Sequence, residues 1–190
     1  MRYRLLKILI AIVVLAMMGT APLLVYAEEA GQQSPLRAIS TLDLPRYMGT
    51  WHEIARLPNS FQKKCVGPSK AQYRIAPDGL VEVINQCQLA DGKSNIARGQ
   101  ARQIGGPTSA MLSVRFAPAW LSFLPMVWGD YWVIDLDPAY QLVAVSEPKR
   151  EYLWVLSRSP NPDELSYQAL LQRLEQKGFN LRGLIRTSTQ

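Results

Sequence analysis

The sequence predicts an all-β fold, a barrel or a sandwich, with one α-helix packed outside it near the C-terminus. Eight strands closed into an up-and-down antiparallel barrel is the expected form. Three observations carry this. Short β-patterned runs separated by turn residues recur from Thr50 to Arg158. No helical pattern lies between them, which excludes a parallel sheet built from helical crossovers. After Pro160 the hydrophobic period lengthens to that of a helix.

Residues 1–27 read as a signal peptide. Arg2, Arg4 and Lys7 precede an apolar run from Ile8 to Met18; Gly19, Thr20 and Pro22 break it, and Val25-Tyr26-Ala27 offers a cleavage site. An uncleaved anchor is the alternative, because Ile8 to Tyr26 is nearly long enough to span a bilayer. The segment holds no Cys, so the expectation is an exported protein, periplasmic or secreted and not lipid-anchored. Setting aside the three leader cations lowers the net charge from +6 to +3, and the rest of the chain suffices for one domain. That balance, with no basic run, argues against nucleic acid as a partner and leaves contact with an anionic membrane surface open. Residues 28–41 are small and polar and read as a flexible lead-in to a domain over 42–190.

The organising stretch is Leu42 to Arg56. A Pro-containing turn reaches Gly49, where the backbone can turn sharply, and then a strand whose first large residue is Trp51. Strands are expected at 50–57, 70–76, 80–88, 95–104, 109–116, 129–136, 140–147 and 151–158. Pro77-Asp78-Gly79, Ala90-Asp91-Gly92, Gly105-Gly106-Pro107 and Asp137-Pro138-Ala139 mark turns between them. Asn161-Pro162-Asp163-Glu164 reads as a helix start with Asn161 as N-cap; Tyr167, Leu170, Leu171 and Leu174 recur at helical spacing, and Lys177-Gly178 closes the helix. A last short strand is expected within 179–186.

If the strands alternate up and down, loops 58–69, 89–94, 117–128 and 148–150 share one rim and turns 77–79, 105–108 and 137–139 the other. Cys65 and Cys87 then lie at the first rim, where export favours a disulfide. Closing that loop stabilises the fold by about 3 kcal/mol on the chain-entropy account. Trp51 opens the first strand and Arg158 closes the eighth, so the guanidinium can lie across the indole at the opposite end, a contact worth roughly 0.5–2 kcal/mol. The uncharged loop from Ala117 to Trp128 would overhang the cavity mouth. Its Trp120, Leu121, Phe123, Leu124 and Trp128 are the candidate lid, with burial as core the alternative.

At this point the motifs resemble a known family. Gly49-Thr50-Trp51-His52-Glu53-Ile54-Ala55-Arg56, Gly129-Asp130-Tyr131-Trp132-Val133-Ile134-Asp135-Leu136-Asp137-Pro138-Ala139-Tyr140 and Tyr152-Leu153-Trp154-Val155-Leu156-Ser157-Arg158 resemble, in order, the three motifs of the lipocalins. The resemblance is to the bacterial group related to apolipoprotein D and covers 42 to about 186. It implies a calyx that binds fatty acids, lysophospholipids or similar amphiphiles, with Asp137 at the acidic position of the second motif and Arg158 covering Trp51. Many bacterial members are outer-membrane lipoproteins, from which this chain departs in lacking the lipidation Cys in its leader.

Ala97, Gly99 and Ala101 share a strand face, and small inward residues would widen the lumen. Leu112, Val114, Phe116, Tyr152, Trp154 and Leu156 are further candidates to line it. Arg74, Arg98 and Arg115 are candidates to hold a carboxylate or phosphate at the mouth. No cofactor, metal site or catalytic residue is expected: the single histidine, His52, sits beside Trp51, and Asp135 and Asp137 read as a solvated strand end. Two other readings remain. One is a membrane- or protein-docking module that works through loop 117–128. The other is a pigment or haem binder with His52, Met111 or Met126 as axial candidates. Ligand identity and oligomeric state are not legible.

Overall fold

The computed structural model describes residues 34–187; the expected signal peptide lies outside them. Among the described residues, β1 (Gly49–Arg56), β2 (Cys65–Ile75), β3 (Val81–Leu89), β4 (Ser94–Gln103), β5 (Met111–Arg115), β6 (Gly129–Leu136), β7 (Leu142–Ser146) and β8 (Leu153–Ser157) pair antiparallel with their sequence neighbours. β1 also pairs with β8, so the sheet closes into a barrel. A ninth strand, β9 (Ile185–Arg186), adds to the far end of β1 as the expected last short strand. The short helix α1 (Leu44–Tyr47) precedes β1, and α2 (Glu164–Gln176) packs outside.

Strand ends differ where turns claim the residues. Tyr140 and Arg150 have φ of 59° and 60°, left-handed backbone that cannot continue a strand, so the seventh and eighth strands start later than the pattern suggests. The helix is capped by Asp163, whose carboxylate accepts from the Ser166 N–H at 2.8 Å, and not by Asn161; Pro162 therefore lies before the helix. The expected flexible lead-in is docked from Ser34 onward. Leu36 is buried beneath α2, and the Ile39 N–H donates to the Val133 carbonyl at 2.9 Å.

Strand alternation divides the apolar residues into two cores. Trp51, Tyr73, Val81, Val83, Ala101, Leu112, Val133, Val143, Val145 and Leu156 face inward. Ile54, Ala55, Ile134, Leu142, Ala144, Leu153 and Val155 face outward and bury Tyr167, Leu170 and Leu174 of α2. Irregularities in pairing between Glu53 and Ala55 and between Val133 and Asp135 re-aim the side chains there. Asp135, expected at a solvated end, is instead buried under the helix, where Arg173 binds it at 2.9 Å and Lys177 lies 3.8 Å away. Asp137 organises the β6–β7 turn by accepting from the N–H groups of Ala139, Gln141 and Leu142.

The closed end is built as the spacing predicts. The Arg158 guanidinium lies 3.9 Å from the Trp51 ring centroid and donates to the carbonyls of Thr50, Arg46 and Tyr47 at 2.9–3.1 Å. Trp51 is fully buried, and its indole N–H donates to the Tyr47 carbonyl at 2.9 Å. Gly49, at φ +99°, lets the chain pass close by: a β-carbon there would meet Arg158 Nη1 at 3.2 Å. Leu42 and Arg46 tie the plug to Thr108 and Pro138 in two turns of the same rim.

Arg158→Ala removes one ring contact and three charge-assisted hydrogen bonds. It should lower unfolding free energy by about 2–4 kcal/mol in urea melts, with Arg158→Lys recovering only part. A change within about 0.5 kcal/mol, the usual range for a surface substitution, would show that the plug does not depend on this residue.

Candidate functional site

The barrel encloses a cavity of about 880 Å³, open at the rim opposite the plug. That volume lies within the usual range for small-molecule sites. The walls come from inward positions of the strands: Ala71 and Tyr73 of β2, Val81 and Val83 of β3, Ala97 and Ala101 of β4, Leu112 and Val114 of β5, Tyr131 of β6, Val145 of β7, and Trp154 and Leu156 of β8. Of the residues expected to line the lumen, Ala97, Ala101, Leu112, Val114, Phe116, Tyr152, Trp154 and Leu156 are found there. Gly99 is different. A β-carbon on it would come within 2.7 Å of the Phe116 ring and 2.5 Å of the Arg115 carbonyl, so its bareness seats Phe116 and does not widen the lumen.

Three tyrosines meet toward the closed end. Tyr131 reaches down to the Tyr47 hydroxyl at 2.7 Å and the Tyr73 hydroxyl at 3.0 Å. Burial raises all three phenol pKa values, Tyr73 to about 12 and the other two well above their ordinary value, so the cluster is neutral at physiological pH. Their convergence was not legible in the sequence, because it needs β2 and β6 to face each other across the closed barrel.

The mouth carries a second arrangement that the sequence did not suggest. Phe61, in the loop after β1, lies 5.4 Å from the Tyr152 ring and 6.0 Å from the Trp154 ring; those two rings lie 5.9 Å apart. Beside it Gln62 accepts from the Trp154 indole N–H at 2.9 Å and donates to Glu53 at 2.7 Å. The buried Glu53 also accepts from Arg56 and from Thr187, each at 2.8 Å. A buried carboxylate with three donors is well compensated, and here it fastens the mouth loop to the wall.

The candidate anion-binding arginines lie elsewhere. Arg74 pairs with Glu82 at 2.6 Å on the outer surface. Arg98 lies on the exposed outer face, between the inward Ala97 and Gly99. Arg115 is buried against the outside of β4, donating to Gln100 Oε1 at 2.6 Å and to the Ala117 carbonyl. Alternation decides this: with small residues inward on β4, its arginine must point out. The mouth instead has Lys149, between Glu147 and Glu151. Cys65 and Cys87 also line the cavity and are joined in a disulfide, with Cα atoms 5.6 Å apart.

Loop 117–128 is not core. Trp120, Phe123 and Met126 are 73%, 74% and 85% exposed, and the loop's two single-turn helices bury no residue. Nor is it a full lid. Met126, Val127 and Trp128 reach the mouth, while Trp120, Leu121, Phe123 and Leu124 do not line the cavity. The Arg102 and Arg115 guanidinium groups lie 4.2 Å and 5.2 Å from the Trp128 ring centroid, and its N–H donates to the Ser122 carbonyl at 2.8 Å. The axial candidates are scattered. His52 lies in an outer groove near Lys70, its pKa lowered by partial burial and by that cation, and Met111 does not line the cavity. Among the described residues no group of His, Cys, Asp and Glu could hold a metal ion.

Comparison with known proteins agrees with this architecture. The model of a lipocalin-like domain matches residues 42–189. Temperature-induced lipocalin-1 of Arabidopsis thaliana is 35% identical over 158 residues, 82% of this chain and 84% of that protein. Outer membrane lipoprotein Blc of Escherichia coli K12 is 35% identical over 173 residues, 88% of this chain and 91% of that one. Insecticyanin from the tobacco hornworm Manduca sexta superposes with a TM-score of 0.63 at 16% identity, over 83% of this chain and 86% of that structure, a likeness of fold. On the matched domain, the shared barrel and the length of the sequence matches, the chain belongs to the lipocalin family.

Proposed function

We propose that this lipocalin binds one amphiphile of the fatty-acid or lysophospholipid class in its barrel and carries or stores it in the cell envelope. The observation that carries the reading is the open cavity of about 880 Å³ with mainly apolar walls. Transferring about 15 methylenes from water into such a lumen gains about 12 kcal/mol gross. Association and ordering oppose a large share of this, which leaves binding in the micromolar to nanomolar range. The acyl chain lies along Leu112, Val114 and Leu156, and the charged head stays at the rim near Lys149. Burying it deeper would strip its water without a partner.

For location we propose an exported protein of the envelope without a lipid anchor. The relative named an outer membrane lipoprotein stands partly against that second clause. What supports it is that both cysteines of the chain are joined to each other.

A second role for the same rim is favoured by the exposed Trp120, Phe123 and Met126. Three large apolar side chains projecting from a charge-free loop, with Arg102 and Arg98 on the neighbouring strand, suit insertion among anionic lipid head groups. Docking there would bring the mouth to the surface from which a lipid is drawn.

Two measurements test these readings. A fluorescent fatty acid should titrate to one site per barrel, and Ala97→Trp, which fills the lumen, should weaken it by about tenfold or more while the protein still unfolds cooperatively. Failure of the native protein to take up the probe would remove the carrier reading. Trp120→Ser, Phe123→Ser and Met126→Ser together should abolish co-sedimentation with anionic vesicles and leave the thermal midpoint within a few degrees. Unchanged vesicle binding would contradict the docking role.

A further inference from the structure

Toward its closed end the cavity carries a cluster of phenols, and the protons there do not balance. Tyr47, Tyr73 and Tyr131 carry three hydroxyl protons. Two hydroxyl–hydroxyl contacts, at 2.7 and 3.0 Å, take up two of them. The third O–H has no acceptor among the described residues. The cluster also keeps free lone pairs, and its tyrosines belong to the same apolar core as Val81, Val83, Ala101 and Leu112. While the cavity is filled with solvent, water satisfies such a donor. Once an apolar chain displaces that water, only an oxygen of the ligand itself can do so, and a buried donor left without a partner weakens the complex.

We propose that these three tyrosines form a distinct subsite that takes an uncharged oxygen, a hydroxyl or a ketone, at the buried end of the ligand. The inference rests on the carrier reading and narrows its ligand from plain acyl chains to oxygenated ones. An ionised group is disfavoured there. The Arg158 charge reaches Tyr47, but the guanidinium donates to three backbone carbonyls, so a carboxylate at the floor would find hydrogen-bond donors only in neutral phenols. A hydroxyl fits both needs of the cluster, accepting the third proton and donating to a phenol oxygen. A ketone meets the first.

The test uses the full chain and displacement of a bound fluorescent fatty acid. The competitors are a long-chain fatty acid and the same acid bearing a hydroxyl at its far end, each measured against the native protein, Tyr131→Phe, and a triple variant carrying Tyr47→Phe, Tyr73→Phe and Tyr131→Phe. In the triple variant no hydroxyl remains, so the ratio of the two affinities should shift toward the plain acid by about tenfold, and the plain acid itself should bind at least as well as to the native protein. In Tyr131→Phe the other two phenols lose their shared partner and two donors are left unpaired, so the ratio should move further toward the hydroxy acid. Thermal unfolding monitors folding, and Tyr131→Phe carries the test should the triple variant fail to fold. Both competitors binding with a ratio that neither variant moves would overturn the subsite and leave the carrier reading standing. Native protein that binds neither would overturn both.

Discussion

The structure depends on the closure of β1 onto both of its neighbours. A strand with two antiparallel partners leaves no open edge on the barrel, and here the second pairing joins residues about a hundred positions apart. Arg158 fixes that closure at one end. Its guanidinium lies over Trp51 from β1 and gathers carbonyls of the short helix before it, so one side chain binds the first strand, the last strand and the plug. An arginine suits the position because its planar fork serves the ring face and several acceptors together.

Closure makes the two ends unlike, and the proposed function follows from that difference. At the plugged end the fold places Trp51 and three neutral phenols; at the other it places a carboxylate-anchored loop, stacked rings, a disulfide and an exposed apolar prong. Between them the walls alternate, and the inward residues of β4 are small, so the interior stays empty instead of packing solid. On the proposed reading, an apolar channel with a wet mouth and a donor at its floor would discriminate by where oxygen atoms sit on the ligand as well as by its size.

Much of this is legible in the sequence alone. Alternation gave the strands, turn residues gave the direction of travel, and that direction placed Cys65 with Cys87 and Trp51 with Arg158. It gave less where backbone conformation overrides pattern, as at Tyr140, or where one carboxylate outcompetes another cap, as at Asp163. Asp135 was misread because the irregularity beside it turns its side chain under α2, a local change that a strict two-residue period cannot register. Phe61 and Gln62 carry no periodic signal at all, since a loop has none. The tyrosine cluster joins positions 47, 73 and 131, which only the closed register brings together.

Native mass spectrometry of the protein after incubation with a total lipid extract tests the central claim most directly. The account predicts a single adduct of one acyl-lipid class per barrel, strongly reduced when Ala97 is replaced by tryptophan. Protein that stays empty, or adducts that are the same on the filled variant, would contradict it.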